Sequence, residues 1–149
     1  MLGMMCQPHA DKPRMLRVAF GRFPTGVPVI TAPSEVAPVG ITANSFSSLS
    51  LDPALVLWSP AKGSRRFPYF ERAPHFAIHI LAAEQANISS GFAQNPNAFE
   101  GLDISTNAEG VPLINNCLAR LECRHRATHP GGDHVIVVGE VTRAELREG

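Results

Sequence analysis

The sequence predicts a mainly β fold with short helices, arranged as an antiparallel barrel that is closed or split. Short apolar runs bounded by Pro, Gly or Ser recur along the chain, as is typical of strands. Few segments show helical periodicity, which disfavours a doubly wound α/β sheet. No Gly-x-Gly-x-x-Gly or Walker-type loop follows a predicted strand. A nucleotide ligand would therefore be bound without a Rossmann or P-loop unit.

The first half of the chain is predicted to contain one helix, three strands and a short helical turn. Asp11 caps the helix, Pro13 lies in its first turn, and apolar residues recur at helical spacing up to Phe23. The strands are short: 27–32, a strand that begins at Val39, and 54–59 (ALVLWS). Residues 64–72 then form one or two helical turns, because Pro68 prevents a longer helix unless it lies near the start.

The second half is predicted to be a strand, a helix, a polar loop and two further strands. Their ranges are 75–81, 83–92, 95–110, 117–127 and 134–141. Apolar and polar residues alternate in CLARLECRHRA, so this strand should have one face towards solvent. Cys117 and Cys123 are both at odd-numbered positions, so they lie on the same face of this strand and are predicted to be buried, unreactive thiols. HVIVVGEV, residues 134–141, is apolar on both faces and should lie deep in the sheet.

Length and composition limit the possible functions. The 149 residues suit one domain spanning 1–149, and 13 Lys and Arg balance 13 Asp and Glu. Because neither sign of charge predominates in the chain, the composition disfavours nucleic acid as a partner. No apolar run approaches the roughly 20 residues of a membrane helix, and the N-terminus lacks a signal-like apolar segment, so the sequence predicts no membrane contact and a cytoplasmic location. Three cysteines are an odd, sparse set that suits reduced thiols.

Hydroxyl and amide side chains crowd the stretch Gly40–Pro53, GITANSFSSLSLDP. Polar residues at consecutive positions of a strand cannot all face solvent, so some of them need partners on the inner side. Short donors and acceptors of this kind suit the edge of an uncharged heterocycle and a phosphate. The alternative is that the hydroxyls satisfy a bulged strand and its turn.

A second polar segment, SPAKGSRRF, follows ten residues later. It places basic and hydroxyl side chains in a turn that leads into a helix, where N–H groups favour an anion: Lys62, Ser64, Arg65 and Arg66. The alternative is an ordinary basic surface. The apolar strand between the two segments would hold both at one end of a sheet, which favours a phosphate-bearing ring system as the ligand.

Two other groups of residues receive structural interpretations. Cys123, His125, His129 and His134 have spacings that fit no standard zinc pattern, and no metal site is predicted. Trp58 and Phe92 could stack on a ligand ring, but packing in the core is the commoner fate of such side chains.

Four stretches of the chain, in order, resemble the flavin reductase domain family, the reductase components of two-component flavin monooxygenases. These stretches are FGRFPTGVPVITA (20–32), GITANSFSSLSLDPALVLWSPAKGSRRF (40–67), 76–93, which opens with FAIHIL, and LECRHRATHPGGDHVIVVGEV (121–141). The resemblance runs from about Arg14 to Val141. It implies a homodimeric, six-stranded antiparallel split β-barrel of the FMN-binding type, with flavin near the subunit interface and NAD(P)H docked over the ring.

The resemblance also implies site residues. Those lining the isoalloxazine and ribityl chain would be Asn44, Ser45, Phe46, Ser47, Ser48, Ser50 and Leu51. Those holding the phosphate would be Lys62, Ser64 and Arg65. The GGDH turn would place Gly132, Asp133 and His134 at the nicotinamide, with His134 as the catalytic residue and Asp133 orienting the turn or the imidazole.

The implied function is that of an NAD(P)H:flavin oxidoreductase that reduces FMN or FAD and supplies an oxygenase through diffusing reduced flavin. Hydride transfer is the cofactors' chemistry, so the protein needs to bind, orient and exclude water. The alternatives are a flavin-binding or electron-transfer module without nicotinamide activity, and a split-barrel interaction protein. The choices of FMN or FAD, and of NADH or NADPH, stay open.

The sequence departs from the family pattern at two points. His79 stands where many members have asparagine, and its role is left open. The chain ends at Gly149, where relatives usually continue into a last apolar strand, so either the barrel lacks a closing strand or the sequence is a shortened one.

Overall fold

The computed structural model describes residues 3–6, 28–34, 38–43 and 45–147, with the backbone alone for residues 3–6. The helix predicted from Asp11 to Phe23, the thiol of Cys6 and the side chain of Asn44 lie outside the described residues. Within the described part, strands greatly outnumber helices, which confirms the mainly β prediction. No helix in these ranges is long and apolar enough to span a membrane.

The described elements are two α-helices and ten strands. The strands are β1 (Gly3–Cys6), β2 (Val29–Ala32), β3 (Val39–Thr42), β4 (Ser47–Leu51), β5 (Ala54–Trp58), β6 (His75–Ile80), β7 (Ile104–Thr106), β8 (Pro112–Ile114), β9 (Ala119–Gly131) and β10 (His134–Arg147). The helices are α1 (Phe67–Arg72) and α2 (Ala86–Gln94), the second preceded by a 3₁₀ turn at Ala83–Gln85. Pro68 lies in the first turn of α1, where its missing N–H costs nothing.

The main sheet is antiparallel and runs in the order β3-β2-β6-β9-β10-β5-β4, with β1 also paired to β10. Strands β3 and β4 are its two edges, yet only residues 43–46 connect them in the chain. A connection this short reaches about 17 Å at most. The sheet must therefore curl until its edges approach without pairing, which is the predicted split barrel. The described part of this sheet has eight strands where the family resemblance implied six.

Alternate residues of β5 form the centre of the core. Trp58 packs edge-to-face on Phe70, with ring centroids 5.3 Å apart, and lies against Phe76 at 6.4 Å. Phe92 of α2 is fully buried and packs against Phe99 at 4.8 Å. Both candidate stacking residues, Trp58 and Phe92, are thus core residues, as predicted.

Strand β9 differs from its prediction in its first half. Residues 119–123 are buried on both faces, including Arg120 and Glu122 on the face predicted to be hydrated. The segment 104–116 covers that face: Asn107 donates to the Glu122 carboxylate at 3.0 Å, and Arg120 donates to Asn115 at 3.1 Å. The prediction of a solvated face was wrong here because the segment that precedes β9 folds back over it and supplies polar partners for both charged side chains.

The segment 95–110, predicted to be a polar loop, contains part of a small hairpin. Strand β7 pairs with β8 as a separate two-stranded sheet. The other long strand agrees with its prediction, since β10 lies between β9 and β5 and is mostly buried from Val137 to Val141. The helix predicted over 83–92 is a 3₁₀ turn at Ala83–Gln85 followed by α2, which begins at Ala86 and ends two residues beyond the prediction, at Gln94.

Cys117 and Cys123 are buried free thiols, as predicted, although Cys117 precedes the strand rather than belonging to it. Burial raises the pKa of Cys117 to about 11 and raises that of Cys123 as well. Neither thiol forms the reactive thiolate at neutral pH.

His79, whose role the sequence left open, joins three strands from a fully buried position in β6. Its Nδ1 donates to the carbonyl oxygen of Val29 in β2 at 3.0 Å, and its Nε2 accepts from the N–H of Ile114 in β8 at 3.0 Å. The two bonds together require the neutral imidazole. Burial, with a smaller contribution from the charge of Arg120, lowers the pKa of His79 to about 3.

We predict that His79 makes the fold acid-sensitive. In the unfolded chain its pKa returns to about 6.5, so between pH 6.5 and 3 the unfolded state binds a proton that the folded state does not. The free energy of unfolding should fall as pH falls through this window, by up to ~1.4 kcal/mol per pH unit from this group.

Urea unfolding of the wild type and of His79→Asn at pH 7 and pH 4.5 measures this contribution. The variant should be less stable at pH 7 but should lose less stability on acidification. His129→Asn, a change at an exposed histidine of β9, should keep the wild-type pH dependence. Equal pH dependence in the wild type and His79→Asn would contradict the prediction.

Candidate functional site

Three segments singled out in the sequence meet beyond the C-terminal end of β5. The N–H of Ser59 donates to Oγ of Ser45 at 2.9 Å, which ties the hydroxyl-rich stretch to the loop after β5. Within that loop, Pro60 accepts from the N–H of Val135 at 3.1 Å, and Lys62 donates its N–H to the carbonyl of Asp133 at 2.9 Å. The polar stretch, the basic loop and the GGDH turn therefore form one continuous surface.

The GGDH turn holds an oriented histidine. Gly132 has φ +73°, the conformation that a two-residue hairpin turn with glycine first requires. The side chains of His134 and Asp133 meet at 2.8 Å, between Nδ1 and a carboxylate oxygen. The hydrogen bond from His134, and then its charge, lower the pKa of Asp133, so the carboxylate is ionised and Nδ1 carries the proton. The imidazole is about half-exposed, which leaves it accessible to a ligand.

A cleft of about 680 Å³ lies beside this surface, within the usual range for small-molecule sites. Three parts of the chain line it: β3 through Ile41 and Thr42, the turn into α1 and α1 itself through Ser64, Arg65, Arg66 and Tyr69, and the end of α2 through Ala93, Gln94 and Pro96. The cleft combines hydroxyls, cations and apolar side chains.

Helix α2 forms one wall because it docks on edge strand β3. A Cβ at Gly40 would lie 2.6 Å from the ring of Phe92, so glycine permits this approach. The N–H of Gly40 donates to the carbonyl of Pro96 at 2.9 Å, and Oγ1 of Thr42 donates to the carbonyl of Ser89 at 2.5 Å. The same contacts cover the open edge of β3.

The cleft is suited to an anion. Within residues 38–43 and 45–147, no carboxylate lies within ion-pair distance of Lys62, Arg65 or Arg66. Arg66 donates from its guanidinium to the carbonyl of Phe92, and burial lowers the pKa of Arg66 without removing its charge. The charge of Lys62 acts on the Asp133 carboxylate, where it contributes to lowering the pKa, whereas Arg65 and Arg66 have no ion-pair partner in these ranges. The two arginines beside the Ser64 hydroxyl fit a phosphate, while Ile41, Tyr69 and Pro96 fit apolar ligand atoms.

The residues expected to bind a phosphate separate into two groups. Ser64 and Arg65 line the cleft. Lys62 is exposed in the preceding loop, where its backbone contacts Asp133.

The predicted ring-lining residues lie along β4 and the segment before it. The hydroxyl of Ser45 accepts from the N–H of Ser59, and the hydroxyl of Ser47 donates to the carbonyl of Ser48. The side chain of Ser48 is exposed. Phe46 is buried in the core. The register pairs Ser47 with Leu57 and Leu51 with Ala54, so Ser50 and Leu51 lie at the far end of β5 from the cleft. Asn44 is outside the described residues.

Several cleft residues were not among those assigned from the sequence: Ile41, Thr42, Arg66, Tyr69, Ala93, Gln94 and Pro96. Arg66 carried a signal, since it stands in the same basic turn as Arg65. Ala93, Gln94 and Pro96 had no such signal in the sequence, because they line the cleft only through the docking of α2 on β3.

A split antiparallel barrel with a cationic cleft and an adjoining histidine turn is an architecture suited to a phosphorylated small molecule. The particular family follows from sequence comparison: residues 20–149 match the model of the flavin reductase like domain, and the chain belongs to that family.

Two relatives and one solved structure illustrate the match. The chain is 54% identical over 142 residues to FMN reductase (NADH) SmoA of Agrobacterium fabrum, covering 95% of this chain and 82% of SmoA. It is 38% identical to the HsaB reductase subunit of a flavin-dependent monooxygenase from Rhodococcus jostii, and the match covers 94% of this chain and 73% of HsaB. It superposes with TM-score 0.77 and 39% identity on the Streptomyces globisporus NADH:FAD oxidoreductase SgcE6 in complex with NAD and FAD fragments. This match covers 91% of this chain and 85% of the SgcE6 chain.

We predict that Gly40→Ala widens the cleft and weakens FMN binding. The added methyl would overlap the ring of Phe92 and push α2 away from β3. The free energy of unfolding should fall by about 1–3 kcal/mol, the usual cost of overpacking. FMN fluorescence titration and urea unfolding measure the two effects.

Gly91→Ala, in the same helix as Phe92, is the matched control, since its Cβ would lie 3.5 Å from that of Ala98, an ordinary contact. This variant should bind FMN like the wild type. Wild-type affinity in Gly40→Ala would contradict the proposed wall of the cleft.

Proposed function

We propose that this member of the flavin reductase family oxidises NADH and transfers the hydride to FMN. The observation that carries the proposal is the main-chain connection between the cationic cleft and the histidine turn, through Lys62 and Asp133. One loop thereby holds an anion-binding cleft and a half-exposed imidazole at a fixed separation. The named activity of SmoA, FMN reductase (NADH), supports the choice of both substrates.

The residues of the chain bind and orient the substrates. Ser64 and Arg65 would hold the flavin phosphate, with Lys62 adding positive charge at the mouth. The bound flavin supplies the ring that accepts the hydride. His134 would position the nicotinamide: because Nδ1 bonds to Asp133, Nε2 is the ring nitrogen left to contact the carboxamide. Fixing the two rings against each other supplies most of the rate enhancement as orientation.

The working protein is proposed to be a homodimer. On the outer face of the sheet, Leu57 lies opposite Val138 and Leu55 lies opposite Glu140, and Leu49, at the bulge of edge strand β4, is 51% exposed. An exposed leucine on an open sheet edge suits burial against a second copy of the chain.

We also propose that reduced flavin leaves by diffusion and serves an oxygenase. The name of HsaB, a monooxygenase reductase subunit, supports an oxygenase partner of this kind. Because the cleft contacts a phosphate through side chains at its surface, the flavin can be held and released without unfolding any element.

The activity is tested by mixing the purified protein with NADH and FMN and following the nicotinamide absorbance. Loss of NADH absorbance at a rate proportional to protein supports the proposal, and bound FMN without NADH oxidation would contradict it. With the protein kept anaerobically behind a dialysis membrane, bleaching of FMN on the far side supports diffusing reduced flavin. Reduction confined to the protein compartment would contradict that step.

We predict that His134→Ala raises the KM for NADH severalfold to about tenfold, the worth of one lost hydrogen bond, and leaves the Kd for FMN unchanged. Asp133→Asn should give a smaller increase, because the imidazole remains but loses its fixed tautomer. His129→Ala, at an exposed position of the same hairpin, should match the wild type. Steady-state kinetics and FMN titration separate these effects, and a weakened FMN affinity in His134→Ala would be the contrary result.

We predict that Leu49→Glu shifts the protein towards monomers, because it introduces a charge into the proposed apolar contact. Ile104→Glu, a matched change of an exposed apolar residue on β7, should leave the assembly intact. Sedimentation velocity distinguishes the two species. A wild type that sediments as a monomer at micromolar concentration would contradict the homodimer.

A further inference from the structure

The cleft beside α1 is larger than a flavin phosphate needs. Its volume of about 680 Å³ is that of a site for a drug-sized group. The proposed function puts the phosphate at Ser64 and Arg65 and the flavin ring near the histidine turn. Within the described ranges, the cleft lining includes no residue of that turn and none of β4. FMN bound in this way would leave much of the cleft open to a further group.

An exposed aromatic ring lies next to the basic turn in this open part. Tyr69 lines the cleft, and its N–H donates to the carbonyl of Arg66 at 3.1 Å, which puts it one turn into α1. The side chain is 40% exposed, and in the part of the chain that the structure describes it has no aromatic neighbour. Side chains of a helix lean towards its N-terminal end, so the ring lies beside the basic turn. Such a ring is a platform for stacking a flat heterocycle.

The end of α2 adds a polar group that suits a purine base. Gln94, the last residue of α2, is exposed and lines the cleft. Its amide carries a donor and an acceptor, the combination that bonds to N6 and N7 of adenine. Pro96 and Ile41 contribute apolar surface to the same lining. A stacking ring, an amide and an apolar wall together fit an adenine better than a second charged group.

We propose that Tyr69, Gln94 and Pro96 form a subsite for the adenosine of a dinucleotide, so that the chain binds FAD more tightly than FMN. The inference rests on the proposed function and deepens it, because FAD has the same reactive ring as FMN and carries AMP on its phosphate. With that phosphate held at Ser64 and Arg65, the AMP would extend along α1 towards Tyr69. The hydride reaction is the same with either flavin, and the subsite adds affinity only.

Isothermal titration calorimetry of the full chain with FAD and with FMN tests the subsite without NADH. The wild type should bind FAD about tenfold more tightly than FMN, a difference typical of one base stacked on an aromatic ring. Tyr69→Ala should remove the difference by weakening FAD alone, and Tyr69→Phe should keep it, because the ring remains. Gln94→Ala should weaken FAD severalfold through loss of hydrogen bonds and leave FMN unchanged.

Glu71→Gln is the matched control, since Glu71 is an exposed residue of α1 outside the cleft lining. It should match the wild type with both flavins. Thermal melting establishes that each variant is folded, and Gln94→Ala provides the test if Tyr69→Ala is not.

NADH also carries an adenosine, and a kinetic measurement distinguishes the two sources. The KM for NADH is measured with FMN as the acceptor, for the wild type and for Tyr69→Ala. An unchanged KM together with weakened FAD binding supports FAD as the source. A KM that rises severalfold while FAD and FMN bind equally would overturn the preference for FAD and assign the adenosine subsite to NADH.

Equal affinity of the wild type for FAD and FMN, with no effect of Tyr69→Ala on the KM for NADH, would overturn the inference. Equal losses of FAD and FMN affinity in Tyr69→Ala would overturn it as well and indicate a structural role. In both cases, NADH oxidation with FMN would still support the proposed function. A protein that prefers FAD through Tyr69 but oxidises no NADH would refute the proposed activity alone, and a protein that binds neither flavin would overturn both.

Discussion

The candidate site depends on the main-chain bonding between residues 60–62 and the end of the β9–β10 hairpin. Strand β5 pairs with β10 only as far as Val137, and β6 pairs with β9 only as far as Arg124. Beyond those points the hairpin extends away from the sheet, where the loop after β5 bonds to its backbone. These bonds are independent of side-chain identity, so the loop is free to carry basic and hydroxyl side chains without losing its position.

The hydroxyl-rich stretch serves the fold and the site together. In the chain it joins the two open edges of the sheet, and the N–H of Ala43 continues the bonding of β3 by donating to the carbonyl of Pro28. Side-chain oxygens add further bonds: Ser45 accepts from Ser59, and Thr42 donates to Ser89 while also lining the cleft. The structural interpretation of the hydroxyls therefore holds for these two residues, and the cleft forms because they fix its walls.

Local patterns predicted the elements well and their surroundings less well. The strands β5, β6 and β10 follow from short apolar runs, because hydrophobic periodicity is a local property. The burial of Arg120 and Glu122 does not, since it depends on how the preceding hairpin packs against β9, which is a tertiary contact. For the same reason the basic turn was predictable, whereas the α2 wall of the cleft was not. Glycine is required at position 40 because a Cβ there would overlap the ring of Phe92, and this contact belongs to the tertiary structure.

The loop after β5 connects the cationic cleft to the histidine turn. The side chains proposed to bind an anion lie at its C-terminal end, and the histidine turn is bonded to its middle, at Lys62. A ligand anchored by its phosphate would therefore present the rest of its structure at a distance set by the backbone and not by flexible side chains. Such positioning gives a large rate advantage for a reaction between two bound rings while requiring few strong contacts to either one. Weak contacts, in turn, are what a protein needs if its product must leave to be used elsewhere.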